Sequence, residues 1–366
     1  MEEFDPRYIF DLHEIGDEEE TRRLIRVRGA VHILSELVNG IIEIKDYNSF
    51  RGAFFNYYDL RRCFLGQKYV TSTLQIRGVY AIPIETLRRI LSLYIKLFDQ
   101  NESFCKEICK RVLENCEFVA GPGGNSVRLP VGMTLELAFL CGILHGDGGI
   151  DKEKIVISHG LSYGKRTEEQ RKSDMKLVES DLKMVSDVFM DIFRKDVFSL
   201  FCSSDAYRGI VVTSKPVIRF FNKVLQHPIG PKNYDAGIWN KDKLVIPDLI
   251  KRCEDKSIIK AYLCGLISTD GTVLKPRNGK FRGVSLCGIS EIVHDAGKLV
   301  ADQFGAKVYF CKRKSKSRGI ESVDRLGNYI YRHEIILPQE DFVKSVFDFP
   351  FAYPSKKSKV FANYLK

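Results

Sequence analysis

One nine-residue pattern that occurs twice constrains the fold of this 366-residue chain more than any other feature. The first copy, LCGILHGDG, covers residues 140–148, and the second, LCGLISTDG, covers residues 263–271. Each copy runs through apolar residues, cysteine and glycine at helical spacing and then ends in Asp-Gly. Two copies in the same register predict two structural repeats, each of which supplies one carboxylate to a shared site.

The small residues of each copy predict a close contact between two helices. Gly142 and Gly146 are four residues apart, as are Gly265 and Thr269, so each pair lies on one helical face. Small side chains at these positions would let the two helix backbones approach each other. The leucines and isoleucines between them would then enter the two flanking cores.

The acidic residues of the pattern, Asp147 and Asp270, fall in the last turn of each predicted helix, before a glycine suited to a left-handed cap. The helix macrodipole opposes a carboxylate at this end by roughly 0.3–1 kcal/mol, and two neighbouring carboxylates also repel each other. A bound divalent cation would remove both penalties, and oxygen ligands suit Mg²⁺. One copy alone could equally be a buried helix with a polar cap, whereas two matching copies favour the shared site.

Both copies resemble the LAGLIDADG motif of homing endonucleases, in the single-chain form that holds two motifs, and the resemblance covers about residues 131–366. It implies an α+β fold in which two pseudo-symmetric αββαββα repeats form a DNA-binding saddle. Asp147 and Asp270 would then coordinate the catalytic Mg²⁺ or Mn²⁺, with Gly146 and Thr269 as adjacent metal-binding positions. The implied activity is metal-dependent, site-specific hydrolysis of both strands of DNA.

The family pattern is less completely matched outside the aspartates. Its earlier acidic position is His145 in the first copy and Ser268 in the second, and the family does not use this position to hold metal. In the family, a lysine near the end of each repeat is thought to polarise water or to stabilise charge on the phosphate. The candidates here are Lys232 in the first repeat, with Lys243 as a rival, and Lys356 or Lys357 in the second. Each of these lysines could instead be a solvated surface charge.

The segments around both copies predict the same order of elements: helix, two strands, helix, two strands and helix. This order indicates an α+β unit and not a doubly wound parallel sheet. In the first repeat we expect strands at 155–158, 197–202 and 209–213 and helices through 175–189 and 214–226. In the second we expect strands at 281–287, 306–312 and 329–337 and helices at 290–305 and 338–347.

The charge of the chain predicts a nucleic-acid partner. It has 57 Lys and Arg against 47 Asp and Glu, and the resulting net charge of +10 favours contacts with phosphates. Charge runs usually form solvated faces, but here several fall where the resemblance places the DNA surface. These residues are Lys165, Arg166 and Arg208 in the first repeat and Lys275, Arg277, Lys280, Arg282, Lys312, Arg313, Lys314, Lys316 and Arg318 in the second. A two-stranded ribbon fits the major groove, so the expected partner is double-stranded DNA. Because the two repeats differ in sequence, its recognised site should be long and imperfectly palindromic.

The chain divides into four predicted parts. They are an α-rich N-terminal domain at 1–120, a linker at 121–130, the first repeat at 131–250 and the second at 251–366. Within the N-terminal domain, residues 75–78 and the following residues 82–87 resemble the final turn and helix of a helix-turn-helix. The alternative is an ordinary α-rich packing domain.

The remaining expectations concern location and class. We find no apolar run long enough to span a membrane and no secretory signal, so we expect a soluble intracellular monomer of the cytoplasm or nucleoid. The chain starts with Met1 and lacks the terminal His-Asn pair that protein splicing needs, so we expect a free-standing protein and not an intein. The main alternative to a nuclease is a non-cleaving transcription regulator or an RNA-binding intron maturase on the same scaffold.

Overall fold

The computed structural model describes most of both repeats and part of the N-terminal region. The described residues are 2–12, 25–44, 81–120, 125–160, 167–195, 198–201, 207–240, 242–274, 277–278, 280–288, 290–313, 322–327, 329–330 and 332–349. Both copies of the repeated pattern lie within these ranges, so their helices and the strands that follow them are defined.

The N-terminal region combines helices with a small antiparallel sheet. Its elements are β1 (Glu2–Glu3), α1 (Tyr8–Asp11), β2 (Ile25–Arg28), α2 (Val31–Ile44), β3 (Ile82–Pro83), α3 (Ile84–Leu97), α4 (Glu102–Asn115), β4 (Glu117–Ala120) and β5 (Gly132–Met133). Strand β2 lies between β3 and β4, and β1 pairs with β5. The rings of Phe4 and Tyr8 lie 5.7 and 5.5 Å from the ring of Phe220, so the N-terminus packs on the first repeat.

The helix expected after Pro83 is present as α3, which begins directly after strand β3. It packs against α2 so closely that a Cβ built on Gly40 would lie 2.9 Å from the ring of Tyr94. Residues 75–78, the turn that a helix-turn-helix would need, lie outside the described part of the chain. A DNA-binding role for α3 therefore stays a prediction, while its buried face serves packing.

The first repeat begins at Thr134, whose hydroxyl accepts a hydrogen bond from the N–H of Leu137 at 3.2 Å. Thr167 and Gln170 form a capping box at the start of its second helix. Its elements are α5 (Leu135–Gly146), β6 (Gly148–Ile150), β7 (Ile155–Gly160), α6 (Glu168–Phe193), β8 (Phe198–Phe201), β9 (Tyr207–Val212) and α7 (Lys215–Lys223). A connection with a hairpin of β10 (Tyr234–Asp235) and β11 (Ile238–Trp239) and a short helix, α8 (Asp248–Lys251), leads to the second repeat.

The second repeat begins at Asp255, whose carboxylate accepts a hydrogen bond from the N–H of Ser257 at 2.9 Å. Its elements are α9 (Lys256–Asp270), β12 (Gly271–Val273), β13 (Val284–Gly288), α10 (Ile292–Phe304), β14 (Tyr309–Arg313), β15 (Ser322–Val323), β16 (Tyr329–Ile330), β17 (Arg332–Leu337) and α11 (Glu340–Val346). Strands β15 and β16 pair with each other and are an addition that the first repeat lacks among its described residues.

The two four-stranded sheets have the same topology. Their strand orders are β6-β7-β9-β8 and β12-β13-β17-β14, and every neighbouring pair is antiparallel. One face of each sheet is apolar: Leu286 of β13 pairs with Ile335 of β17, and both are buried. The predicted α+β fold of two αββαββα repeats is therefore confirmed.

The expected elements differ from the observed ones mainly at their ends. Strands β6 and β12 were not expected, because each has only three residues and begins at the glycine that follows the aspartate. The segment expected as one strand at 329–337 contains two, β16 and β17. Short strands carry too few residues for an alternating pattern to reveal them.

The glycines after the aspartates do not form left-handed caps, so that expectation is wrong. Gly271 has an extended backbone, with φ −78° and ψ 158°, and Gly148 opens strand β6. Their missing side chains serve close packing instead. A Cβ on Gly148 would lie 2.6 Å from the Cα of Leu144, and one on Gly271 would lie 2.4 Å from the carbonyl oxygen of Ile267. Glycine at these two positions lets the backbone pass directly from helix to strand.

The apolar core runs without interruption from the N-terminal region through both repeats. The longest described helix, α6, buries a stripe of Val178, Leu182, Val185 and Phe189 and leaves its opposite side polar. Over the described ranges, no helix combines the length and apolarity that crossing a bilayer requires.

Candidate functional site

The first helices of the two repeats, α5 and α9, cross with their backbones in contact. A Cβ built on Gly142 would lie 2.2 Å from the carbonyl oxygen of Tyr262. A Cβ built on Gly265 would lie 2.2 Å from the carbonyl oxygen of Phe139. These contacts are reciprocal, because Gly265 and Tyr262 occupy in the second copy the places of Gly142 and Phe139 in the first. Only glycine permits this approach, so the predicted close helix contact is confirmed.

The contact continues to the ends of both helices. A Cβ built on Gly146 would lie 1.8 Å from the Oγ1 of Thr269, whose hydroxyl donates a hydrogen bond back to the carbonyl of Leu266 at 2.8 Å. Asp147 is the C-terminal cap of α5, and Asp270 is the last residue of α9. The residues directly before the two aspartates, Gly146 and Thr269, are therefore in contact. Asp147 is half-buried and Asp270 is exposed.

Lys232 is the lysine that the fold brings to this crossing. Its Nζ donates hydrogen bonds to the carbonyl oxygens of Leu144, His145 and Gly146 at 3.2, 2.8 and 2.5 Å. Three carbonyls in the last turn of α5 thus share one cation, as the helix dipole favours. The segment reaches this place because the N–H of Gly230 donates a hydrogen bond to the carbonyl of Ile150 on β6 at 2.7 Å. Gly230 has φ +86°, a conformation that glycine adopts without strain.

The charge of Lys232 depends on the two aspartates. Burial lowers the pKa of the Lys232 ammonium to about 8, while the negative charges of Asp270 and Asp147 act in the opposite direction. Both carboxylates therefore lie within electrostatic reach of one ammonium group. With a pKa near neutrality, this lysine is suited to give or hold a proton as well as to carry positive charge.

A buried polar cluster lies beneath Lys232, and sequence reasoning missed most of it. The Nδ1 of His145 and the hydroxyl of Tyr262 are hydrogen-bonded at 2.9 Å across the helix crossing. The ring of His227 lies 5.4 Å from that of His145, and its Nε2 lies 3.4 Å from the carbonyl oxygen of Leu144. Burial holds the pKa of His145 well below its usual value and lowers that of His227 to about 4. Both rings are therefore neutral at physiological pH.

The second repeat lacks the counterpart of this cluster. By the correspondence of the two copies, Ser268 takes the place of His145, and Phe139 takes the place of Tyr262. The hydroxyl of Ser268 lies beside the thiol of Cys264, and the Sγ of Cys141 lies 3.8 Å from the Nε2 of His145. Aligning the two copies would have revealed the unmatched His and Tyr, although nothing in the sequence shows that they touch.

The other candidate lysines lie elsewhere or outside the described residues. The Nζ of Lys243 binds the carboxylate of Asp235 at 2.6 Å and the carbonyl of Tyr234 at 2.8 Å, so it holds the β10–β11 hairpin. Lys356 and Lys357 lie outside the described residues. A catalytic role for any of these three lysines stays a prediction.

Three of the predicted DNA-binding cations surround one turn. Arg277, Lys280 and Arg282 are exposed on the connection between β12 and β13, where the backbones of Arg277 and Lys280 exchange hydrogen bonds of 3.3 and 3.1 Å. Arg208 lies in β9, and Lys312 and Arg313 lie in β14, but only their backbones are described. The remaining candidates, Lys165, Arg166, Lys275, Lys314, Lys316 and Arg318, lie outside the described residues.

The donor set at the crossing fits a hard divalent cation. Proteins usually bind Mg²⁺ through one or two carboxylates together with substrate phosphates, and Asp147 and Asp270 supply such a pair. The carbonyl of Gly146 keeps one lone pair, since Lys232 uses the other. Among the described residues, no three or more His, Cys, Asp or Glu side chains form a metal-binding group. Beyond the two carboxylates and the carbonyl of Gly146, water or phosphate would supply the remaining ligands.

Comparison with known proteins identifies similar folds only. No family model matches the chain, and no curated protein does. The homing endonuclease I-DmoI, solved in complex with DNA and Ca, is similar over 62% of this chain and 96% of its own, at 12% identity and a TM-score of 0.36. Full-length DUF199/WhiA from Thermotoga maritima is similar over 63% of this chain and 59% of its own, at 12% identity and a TM-score of 0.35. The N-terminal LAGLIDADG domain of DUF199/WhiA is similar over 63% of this chain and 89% of its own, at 14% identity and a TM-score of 0.32.

Proposed function

We propose that this protein is a site-specific, metal-dependent endonuclease of the homing type that hydrolyses both strands of DNA. The observation that carries the proposal is the pair of aspartates at the ends of two helices that touch through reciprocal glycines. The helix dipole opposes a carboxylate at each of these helix ends, and a divalent cation held by both carboxylates would offset that cost.

The side chains at the crossing divide the chemistry between them. Asp147 and Asp270, with the backbone of Gly146 and Thr269, would hold Mg²⁺ or Mn²⁺, which supplies an activated water and neutralises phosphate charge. Attack of water on phosphorus forms one P–O bond and breaks the bond to the leaving oxygen, which takes up a proton. Lys232, whose ammonium is within electrostatic reach of both aspartates, would stabilise the added negative charge of that step. Its three carbonyl partners keep the ammonium in one place.

The proposed substrate follows from charge and asymmetry. A net charge of +10 favours a phosphate backbone, and Arg277, Lys280 and Arg282 form an exposed cationic turn on the second repeat. The two repeats differ in sequence, so the recognised site would be long and imperfectly palindromic. Both aspartates come from one chain, so a monomer can act on double-stranded DNA.

The deciding experiment is a cleavage assay on a plasmid that carries the protein's own genomic neighbourhood, with and without Mg²⁺. We expect Mg²⁺-dependent linearisation by the natural protein, and none by Asp147→Asn or Asp270→Asn. Binding of the same fragment, measured by gel shift, should survive both substitutions because each removes only one charge from the site. Linearisation by the double Asn variant would overturn the assignment.

One observation favours a second candidate, a non-cleaving transcription regulator or intron maturase. The ammonium of Lys232 is bonded to the carbonyl of Gly146, which the family resemblance assigns to the metal site. If the lysine takes over the neutralising role of the cation, the scaffold can bind nucleic acid without cutting it. Tight fragment binding without any nicking in Mg²⁺ or Mn²⁺ would select this reading, and an RNA gel shift would separate the maturase from the regulator.

A further inference from the structure

A hydrogen-bonded turn of the second repeat presents an arginine and a leucine to solvent. In the turn of residues 324–327, the N–H of Gly327 donates a hydrogen bond to the carbonyl of Asp324 at 3.0 Å. The buried carboxylate of Asp324 also accepts a hydrogen bond from the N–H of Leu326 at 2.8 Å. Arg325 and Leu326 therefore occupy the tip, where Leu326 is 68% exposed. This is unusual, because the tips of tight turns are normally polar.

The same turn is fastened to the hairpin that follows Lys232. The other carboxylate oxygen of Asp324 accepts a hydrogen bond from the N–H of Trp239 at 3.2 Å. The side chain of Arg325 lies over the hairpin, since a Cβ on Gly237 would lie 2.7 Å from its Cδ. Ile238, between Gly237 and Trp239, is also exposed. The turn of the β10–β11 hairpin and the turn of residues 324–327 thus form one exposed tip, made of Ile238, Arg325 and Leu326.

The tip lies on the side of the molecule that holds the aspartates. The hairpin starts at Tyr234, two residues after Lys232, so it cannot be far from the crossing. In the second sheet, Gly271 directly follows Asp270. Gly271 pairs with Leu286, Leu286 pairs with Ile335, and Ile335 pairs with Phe310 of β14, so Phe310 lies at the level of Gly271. Strand β14 continues three residues past this level, in the direction of Asp270, before the connection that bears the turn. The hairpin therefore begins close to the proposed cleavage site, and the turn of residues 324–327 is held against this hairpin by Asp324 and Arg325.

We propose that Ile238, Arg325 and Leu326 form a wedge that enters the minor groove of the bound DNA and unstacks a base step next to the cleaved phosphates. The proposal rests on the proposed function. Proteins that kink DNA insert leucine or isoleucine between base steps and place a cation in the narrow groove beside it. A wedge would open the duplex where the two strands must reach one site, and its fastening by Asp324 would keep it extended before DNA arrives.

The size and charge of the tip favour DNA over a protein partner. A stable protein interface buries about 800 Å² on each partner, which two aliphatic side chains cannot supply. The exposed carboxylate of Asp235 is paired with Lys243, and Asp324 is buried, so the cation at the tip is Arg325. Two apolar side chains beside one guanidinium are complementary to an apolar base step flanked by phosphates.

The test uses the natural protein in Ca²⁺ and the genomic fragment from the plasmid assay, with 2-aminopurine placed in turn at each position around the nicked or footprinted centre. We expect 2-aminopurine fluorescence to rise on binding at one step, because unstacking relieves its quenching. Trp239 is the only tryptophan of the chain, and its emission should change in the same titration. Leu326→Ala should abolish the 2-aminopurine rise and weaken binding roughly tenfold, whereas Leu326→Met should retain both signals.

Two controls keep the outcomes separate. Arg325→Ala should weaken binding more than Arg252→Ala, which removes another exposed arginine, at the end of α8. Unfolding temperatures should stay unchanged, because Leu326 and Arg325 are exposed. If the natural protein binds and cuts the fragment while no 2-aminopurine position responds, or if Leu326→Ala behaves like the natural protein, the wedge is refuted and the nuclease stands. If no fragment is bound at all, the proposed function falls, and the wedge with it.

Discussion

The C-terminal ends of α5 and α9 make the same close backbone contact but differ in the polar residues around it. Gly142 and Gly265 give the two backbones the same close approach, and each helix ends in an aspartate. His145, Tyr262 and Lys232 surround the end of α5. By the correspondence of the two copies, Ser268 takes the place of His145, and Phe139 takes the place of Tyr262. The two ends therefore share a symmetric backbone contact and differ in the polar groups around it.

The largest expected effect breaks the symmetric part. Gly142→Ala should destabilise the protein by about 3 kcal/mol or more, because the new methyl group meets a carbonyl oxygen that cannot move away. Gly265→Ala should cost a similar amount. Gly149→Ala is the matched control, since nothing lies within 4 Å of its added Cβ. Urea unfolding measures all three, and equal stabilities of the Gly142 and Gly149 variants would contradict the close crossing.

The next effect tests Lys232, whose ammonium is hydrogen-bonded to the end of α5. Lys232→Met should reduce cleavage roughly hundredfold, because it removes the positive charge that we propose stabilises the reacting phosphate. Lys243→Met is the control: it breaks the partly exposed pair with Asp235, so cleavage should change little. Single-turnover rates on the plasmid measure both. Equal losses in the two variants would remove Lys232 from its proposed role.

The buried histidines should make stability depend on acidity. The pKa of His227 is about 4 in the folded protein and near 6.5 when unfolded, so the unfolded state binds the proton first. Stability should fall as the pH drops from about 6.5 towards 4, by roughly 2–3 kcal/mol from this residue. His145 acts in the same direction. Urea titrations at several pH values should show a smaller slope for His227→Gln, and an unchanged slope would contradict the burial of a neutral ring.

The smallest effect measures the hydrogen bond across the crossing. Tyr262→Phe should cost about 1 kcal/mol, because the Nδ1 of His145 loses its partner. His145→Ser together with Tyr262→Phe gives the first end the residues of the second. A double-mutant cycle over these variants should yield a coupling of about 1 kcal/mol. A coupling near zero would show that the two residues stabilise the fold independently.

The sequence was most informative at the two copies of the nine-residue pattern. Two matching copies indicated the close helix crossing, because small residues at four-residue spacing lie on one helical face. The αββαββα order followed from the family resemblance and from the order of the predicted strands and helices. The buried cluster was out of reach, since His145 and Tyr262 lie 117 positions apart and meet only through the crossing. The role of Gly148 and Gly271 was misjudged because Asp-Gly also occurs in turns, and only the packing of Leu144 and Ile267 shows why glycine is needed.

The most direct test of the central claim is anomalous diffraction from crystals of the protein grown with Mn²⁺ and the bound DNA fragment. The account predicts Mn²⁺ density between the ends of α5 and α9, within coordination distance of carboxylate oxygens from both Asp147 and Asp270. Mn²⁺ found only at other places, or aspartates that point away from each other, would contradict it.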